Sequence, residues 1–144
     1  MIYGLGKIGE ISSSLGKTVY EIKYHIGNVR ATVCWGTGNN LQLVNYNDYY
    51  PHGNIMPGRS YSAGSNYRYG YQSQEKDEET GFNNFDLRMY DSRIGRWFNV
   101  DPMEQYFSAY LAMGNNPISV TDPTGGWGDD NQFLGNRRSK MVVG

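Results

Sequence analysis

Cysteine is almost absent from this 144-residue chain, with Cys34 alone, so no intrachain disulfide can staple it. Histidine is scarce too, with only His25 and His52. A cysteine nucleophile needs a partnered histidine, and none is evident, so Cys34 in Thr32-Val33-Cys34-Trp35 reads as a small buried hydrophobe. No cofactor or metal site is expected. An excess of one charge is missing as well: 13 Lys and Arg against 14 Asp and Glu leave −1, which predicts no general attraction to nucleic acid. No apolar run approaches the length of a membrane span, so no membrane insertion is expected. Met1-Ile2-Tyr3-Gly4-Leu5-Gly6 lacks the charged and apolar regions of a signal peptide. That is expected of a chain that is cytoplasmic when made, or of a fragment of a longer protein.

What is abundant is tyrosine, at 13, and glycine, at 19. Tyr packs a large ring while keeping a polar tip wet, and Gly supplies backbone shapes that other residues resist. Together they predict many short strands and tight turns. Tyr20, Ile22, Tyr24 and Ile26 alternate with Glu21, Lys23 and His25, the period of a half-buried strand. After Gly27-Asn28 the alternation resumes with Val29, Ala31, Val33 and Trp35, which predicts a hairpin with His25 beside its turn. Leu41, Leu43 and Val44 suggest one more strand, followed by a long irregular connection through Tyr49-Tyr50-Pro51-His52-Gly53.

Tyr67, Tyr69 and Tyr71 alternate as a further strand, and the charged run from Glu75 to Glu79 reads as a solvated loop tip. Phe85, Leu87 and Met89 mark the return strand, and a turn at Ser92-Arg93-Ile94-Gly95 leads to Arg96-Trp97. One short helix is predicted near 102–113. Asp101 can cap it, Pro102 suits its first position, and Tyr106, Phe107, Tyr110 and Leu111 fall on one face. Gly114-Asn115-Asn116-Pro117 would end it. Ile118-Ser119-Val120 makes a short strand, Asp122-Pro123-Thr124-Gly125 fits a type I turn, and the tail beyond is polar and glycine-rich.

Two strings mimic nucleotide sites. Gly4-Leu5-Gly6-Lys7-Ile8-Gly9 has the dinucleotide spacing without room for a preceding strand, and Gly16-Lys17-Thr18 ends like a phosphate loop whose first Gly is Ile11. Both are simpler as turns between strands.

An ordered series of motifs resembles the Rhs/YD-repeat family. It begins with Tyr24-His25-Ile26-Gly27-Asn28-Val29-Arg30 and continues through Asp48-Tyr49-Tyr50-Pro51-His52-Gly53, Met56-Pro57-Gly58-Arg59 and Tyr67-Arg68-Tyr69-Gly70-Tyr71. Then come Tyr90-Asp91-Ser92-Arg93-Ile94-Gly95-Arg96-Trp97, Asp101-Pro102, Gly114-Asn115-Asn116-Pro117 and Asp122-Pro123-Thr124-Gly125, the pattern of an Rhs-associated core of Bacteroidetes type. Each string is weak, and their order is the strong signal.

The resemblance implies a mainly β fold of antiparallel YD-type hairpins, part of an Rhs core in a β-shell that encloses a polymorphic toxin. It implies three segments: 1–66 as hairpins, 67–126 as the core with two Asp-Pro motifs, and 127–144 as a polar tail shorter than a folded toxin of the usual kind. It implies partners, namely further YD-repeat shell strands (in the same longer chain or a separate shell protein) and a C-terminal toxin segment. It also implies a secreted or cell-surface location within a larger secretion-system effector. Finally it implies intramolecular aspartyl autoproteolysis. Asp101 and Asp122 would be the catalytic pair, Arg93 and Arg96 their basic support, and Gly126–Trp127 the cleavage site. Two carboxylates held together cannot both ionise easily, so one would activate water while the other stays protonated. Two other functions stay open from the residues: a non-cleaving structural or interaction module, and a surface- or carbohydrate-binding β-protein that uses its Tyr-rich faces.

Overall fold

The computed structural model describes residues 2–3, 7–12, 16–64 and 66–129. Six strands, β1 (Ile2–Tyr3), β2 (Lys7–Ser12), β3 (Lys17–Lys23), β4 (Val29–Trp35), β5 (Leu41–Tyr49) and β6 (Ile55–Ser62), form one antiparallel sheet in chain order. Four short strands, β7 (Glu75–Lys76), β8 (Asn83–Asn84), β9 (Met89–Asp91) and β10 (Arg96–Trp97), form a second antiparallel sheet. The fold is therefore mainly β, as the hairpin pattern predicts.

The long irregular connection expected through Tyr49–Gly53 is instead a second copy of the first hairpin turn. In Tyr24–Asn28, Gly27 N–H donates to Tyr24 O and Tyr24 N–H to Asn28 O, both at 2.9 Å. In Tyr50–Asn54 the same two bonds recur at 2.8 Å. Gly27 and Gly53 take φ of +83° and +87°, the left-handed conformation that closes a three-residue hairpin loop. The shared pattern Tyr-x-x-Gly-Asn was the available signal. Nor is there a strand at 67–71: Tyr69 makes a single bridge to Glu75, and a tight turn follows at Tyr71–Ser73.

The alternation in β3 to β6 holds, but the faces are used unexpectedly. Glu21, Thr32, Asn45 and Ser62 line up across four strands on one face, and Ile22, Ala31, Tyr46 and Tyr61 on the other. The polar face is the covered one. Tyr67 crosses it and donates its hydroxyl to Glu21 at 2.6 Å. The apolar face stays open, with Ile22, Trp35, Leu41, Leu43 and Tyr61 exposed. Edge strand β6 carries Pro57, which has no N–H to offer a neighbouring strand there.

The core lies where the two hairpin tips meet the second sheet. Tyr71 stacks on Tyr90 at 5.6 Å, and Phe85 sets its edge against Tyr90 and Trp97 at 5.9 and 4.9 Å. Ile26, from the first tip, joins this cluster with Ala112, Met113 and Val120. Polar contacts fix the docking. Ser73 donates to Gly27 O at 2.7 Å, Gln72 N–H to Asn28 Oδ1 at 2.8 Å, and Tyr90 to His52 O at 2.9 Å. His25 is held near the turn, with Nε2 2.8 Å from Ile118 O.

No helix forms over 102–113. Glu104 takes φ +48°, outside the right-handed helical region. The segment returns its backbone to the sheet instead. Trp97 N–H donates to Tyr110 O at 3.1 Å, Asp101 N–H to Ala109 O at 2.9 Å, and Leu111 bridges Arg96. Phe107, expected on a buried helix face, is fully exposed. Residues 118–120 form a turn, not a strand: Val120 N–H donates to Asn116 O at 3.0 Å. Of the two nucleotide-like strings, Lys17-Thr18 starts strand β3 where a phosphate loop needs a helix, and Gly4–Gly6 lie outside the described residues. The expected tail beyond Asp129 also lies outside them.

The tip glycine gives a test. A Cβ on Gly53 would sit 2.3 Å from the buried Tyr71 ring, whereas one on Gly38, also at φ +87°, meets nothing within 4 Å. Both Ala substitutions carry a left-handed penalty of about 1 kcal/mol, and Gly53→Ala adds overpacking of roughly 1–3 kcal/mol. In urea unfolding, Gly53→Ala should lose clearly more stability than Gly38→Ala.

Candidate functional site

Beside the aromatic core, one guanidinium lies between two carboxylates. Arg88 sits in the loop between β8 and β9, where Phe85 N–H donates to Arg88 O at 3.0 Å and closes a turn. That turn reverses the expected alternation, leaving Leu87 exposed and Arg88 buried. Its Nη1 lies 3.6 Å from Asp101 Oδ1 and its Nη2 3.4 Å from Asp122 Oδ2. All three side chains are at most 2% exposed. The guanidinium lies over the Trp97 ring, 4.1 Å from its centroid, and Nε donates to Gly125 O.

Each aspartate is also a turn former. Asp101 Oδ1 accepts from Met103 N–H at 2.9 Å and Oδ2 from Gln105 N–H at 3.2 Å, so the carboxylate caps a turn that no helix follows. Asp122 Oδ1 accepts from four backbone N–H groups: Gly125 at 2.7 Å, Gly126 at 3.1 Å, and Thr124 and Trp127 at 3.3 Å. Asp122 N–H donates to Gln72 Oε1 at 2.9 Å, tying this turn to the hairpin-docking segment. Beyond it, the Gln105 carboxamide clasps Gly128, donating to its carbonyl at 2.8 Å and accepting from its N–H at 2.7 Å. Thr121 and Asp129 exchange backbone bonds at 3.0 and 2.7 Å. The segment after the second Asp-Pro motif is thus gripped from two sides.

The electrostatics are tight. Two ionised carboxylates and one cation would leave a net negative charge in a buried place, which is costly. Burial pushes the Asp122 carboxyl above its ordinary value of 3.8, against the opposing pull of the Gly125, Thr124 and Trp127 N–H groups and of Arg88. Burial likewise draws the Arg88 guanidinium below its usual range, while the two aspartates pull it back up.

Of the four side chains expected to act together, Asp101 and Asp122 meet around one residue and the arginines are elsewhere. Arg93 binds Asp91 through two bonds of 2.9 and 2.8 Å on the surface, and Arg96 donates to Asn115 Oδ1 at 3.0 Å. The arginine that joins the pair is Arg88, which the sequence hides on the polar side of an alternating run. Gly126 is buried and Trp127 is about half exposed.

The chain is 40% identical over 101 residues to salivary gland surface protein 1 of Aedes aegypti, and 29% and 30% identical to toxin subunits YenC1 and YenC2 of Yersinia entomophaga. The chain has homologues among toxin subunits. These matches cover 70%, 87% and 58% of the chain but only 3%, 12% and 9% of the relatives. It therefore spans a small part of their length. Among solved structures it matches the TcdB2-TccC3-Cdc42 crystal structure with TM-score 0.67 at 25% identity, over 77% of the chain and 5% of that one. The TcdB2-TccC3 structure without its hypervariable C-terminal region matches with TM-score 0.66 at 25% identity, over 76% and 5%. No family model matches the chain.

The raised Asp122 carboxyl predicts a pH dependence. A folded-state value above the unfolded one means that the fold holds the proton more tightly. The resulting stability is present below the unfolded value and is lost as pH rises from 3.8 through the folded value. Asp122→Asn removes that loss while keeping a turn-forming side chain. Its stability should therefore gain on the parent as pH rises, by up to about 1.4 kcal/mol per pH unit. Urea unfolding of both proteins across a pH series measures the difference. The Asp91 carboxyl, held low by Arg93, cancels because it is the same in both.

Proposed function

We propose that the chain is a core module of an Rhs/YD-repeat β-shell of the toxin-subunit kind, Bacteroidetes in type, which grips the segment at its second Asp-Pro motif and cuts it once. One observation carries this: the aspartates of both Asp-Pro motifs are buried against a single arginine that also holds the carbonyl of the motif's last glycine. The toxin-subunit homologues support the shell assignment, as does the open apolar face of the first sheet, which further shell strands or layers would cover. Within this module, 1–66 supplies hairpins, 67–126 the core with two Asp-Pro motifs, and 127–144 is the polar tail. Such a shell works outside the cell that makes it, secreted or at the surface.

The chemistry of cutting runs as follows. Arg88 Nε–H polarises the Gly125 carbonyl and would hold the oxyanion formed there. Asp101, on the other side of the guanidinium, takes the proton of the attacking water. Asp122, whose carboxyl burial favours the protonated form, accepts from the Gly126 N–H through Oδ1 at 3.1 Å; a proton on its other oxygen would reach the Gly126 nitrogen as that bond breaks and the carboxyl turns. Because the peptide is already gripped, proximity replaces a strongly activated nucleophile. The carbonyl that Arg88 holds favours Gly125–Gly126 over the neighbouring Gly126–Trp127 bond, whose nitrogen is 3.3 Å from the same carboxylate.

A second possibility, a clamp that never cuts, is favoured by the Gln105–Gly128 clasp and the Thr121–Asp129 pairing, which would hold the segment equally well uncut. Intact-mass analysis of freshly made protein separates the two. A cutting core yields a fragment ending at Gly125, or at Gly126 if the downstream bond breaks. Asp101→Asn, Asp122→Asn and Arg88→Gln should each leave the chain whole while circular dichroism stays unchanged for the two Asn variants. A folded parent chain that stays whole would leave only the clamp.

A further inference from the structure

Past the second Asp-Pro motif the chain is buried at Gly125 and Gly126, about half exposed at Trp127 and buried again at Gly128. Shape enforces this order. A Cβ on Gly125 would lie 2.8 Å from Phe85 Cβ and 3.2 Å from the Arg88 backbone nitrogen. One on Gly128 would lie 2.8 Å from the Tyr106 hydroxyl and 3.0 Å from Val120 Cγ1. Packed interiors leave no room for such approaches, so these two slots are built for glycine. At Gly126 the obstacle is the flexible tip of Leu87, also at 2.8 Å.

Asp122 does not by itself choose a bond to cut. Its Oδ1 faces the N–H groups of Gly125, Gly126 and Trp127 at 2.7, 3.1 and 3.3 Å, three neighbouring peptides held almost alike. Arg88 marks one carbonyl, that of Gly125, from the upstream side. With that end alone fixed, rotation at Gly126 could bring the next carbonyl toward the same guanidinium, since a glycine backbone opposes little. The downstream end is held by Gln105. Its Nε2 donates to Gly128 O at 2.8 Å and its Oε1 accepts from Gly128 N–H at 2.7 Å, the double exchange of a strand neighbour. Its backbone N–H donates to Asp101 Oδ2 at 3.2 Å, so the residue that grips the segment also touches the first aspartate. Thr121 and Asp129 pair through backbone groups, which any residue but proline supplies, so that pairing holds the segment without selecting its register. We propose that Gln105 is a positioning residue that, with the side-chain-free slot at Gly128, fixes the register in which Gly125–Gly126 alone is presented to Arg88 and the two aspartates. The segment it selects is a Gly-Gly-x-Gly stretch whose third side chain points outward. The choice of bond rests on the cutting core proposed above; the grip does not.

The test uses the whole chain in two variants: Gln105→Leu, which removes both side-chain bonds, and Gly128→Ala, which puts a methyl group in the slot. In a chain that cuts, intact-mass analysis should show the parent's single end at Gly125 become a mixture of ends at Gly125 and Gly126. Cutting should also slow roughly tenfold or more. A merely structural role would slow the reaction without moving its position. A single unchanged end in either folded variant overturns the proposal, and so does a parent that ends at Gly126. Should the parent stay whole, the cutting reading falls and amide hydrogen exchange reads the register instead. The Gly126, Trp127 and Gly128 amides should then exchange roughly tenfold faster in both variants. The Gly27 and Gly53 amides, bonded within the hairpin tips, should keep parental rates and show that the fold is intact. Parental exchange at Gly126 and Trp127 overturns the proposal. If Gln105→Leu fails to fold, Gly128→Ala decides on the same readouts.

Discussion

A buried guanidinium must be surrounded by acceptors, and in this protein those acceptors come from two separate stretches of chain. Arg88 draws in Asp101, Asp122 and the carbonyl of Gly125, and it lies flat on Trp97. One ionised carboxylate balances this cation, and removing Arg88 itself would leave two buried carboxylates with none. The loop from 98 to 112 and the turn at 122–125 have little regular structure of their own. Their positions follow from what Arg88 requires.

The same economy explains how the two sheets join. Hairpins are local, and each closes with a few residues. Docking them is not local, and here it is done by their tips. Gly53 lies against the Tyr71 ring, and Asn28 and Gly27 accept bonds from Gln72 and Ser73. Gln72 then reaches on, through its carboxamide, to the backbone of Asp122. A continuous polar path therefore runs from a hairpin tip to the candidate site. A disturbance at either end has a physical route to the other, through two hydrogen bonds on one residue, the Gln72 backbone N–H and its side-chain Oε1.

Much of this was legible residue by residue. The hairpin around Gly27-Asn28 showed in its alternation, the buried character of Cys34 in its neighbours, and the turn at Asp122 in its Asp-Pro-Thr-Gly order. The pairing of Asp101 with Asp122 was legible only through the resemblance of the motif series. Local signals misled where one residue served two structures. Asp101-Pro102 carries every mark of a helix start, but its carboxylate is engaged by Met103, Gln105 and Arg88, and the following backbone bonds to the sheet. Capping residues report that a turn begins, not that a helix continues.

The sequence by itself determined the class of structure: strands from period-two alternation, their turns from glycine, and the absence of disulfides from a lone cysteine. These depend on neighbours in the chain, where backbone geometry acts directly. Which face of the first sheet is covered, and which arginine serves the aspartates, was decided only by tertiary structure. Alternation fixes that two faces differ but not which one meets another segment, and here the polar face is the one Tyr67 crosses. Arg93 and Arg96 were equally plausible in one dimension. Arg88 was selected because the Phe85–Arg88 turn points its side chain into the space where two remote carboxylates also converge.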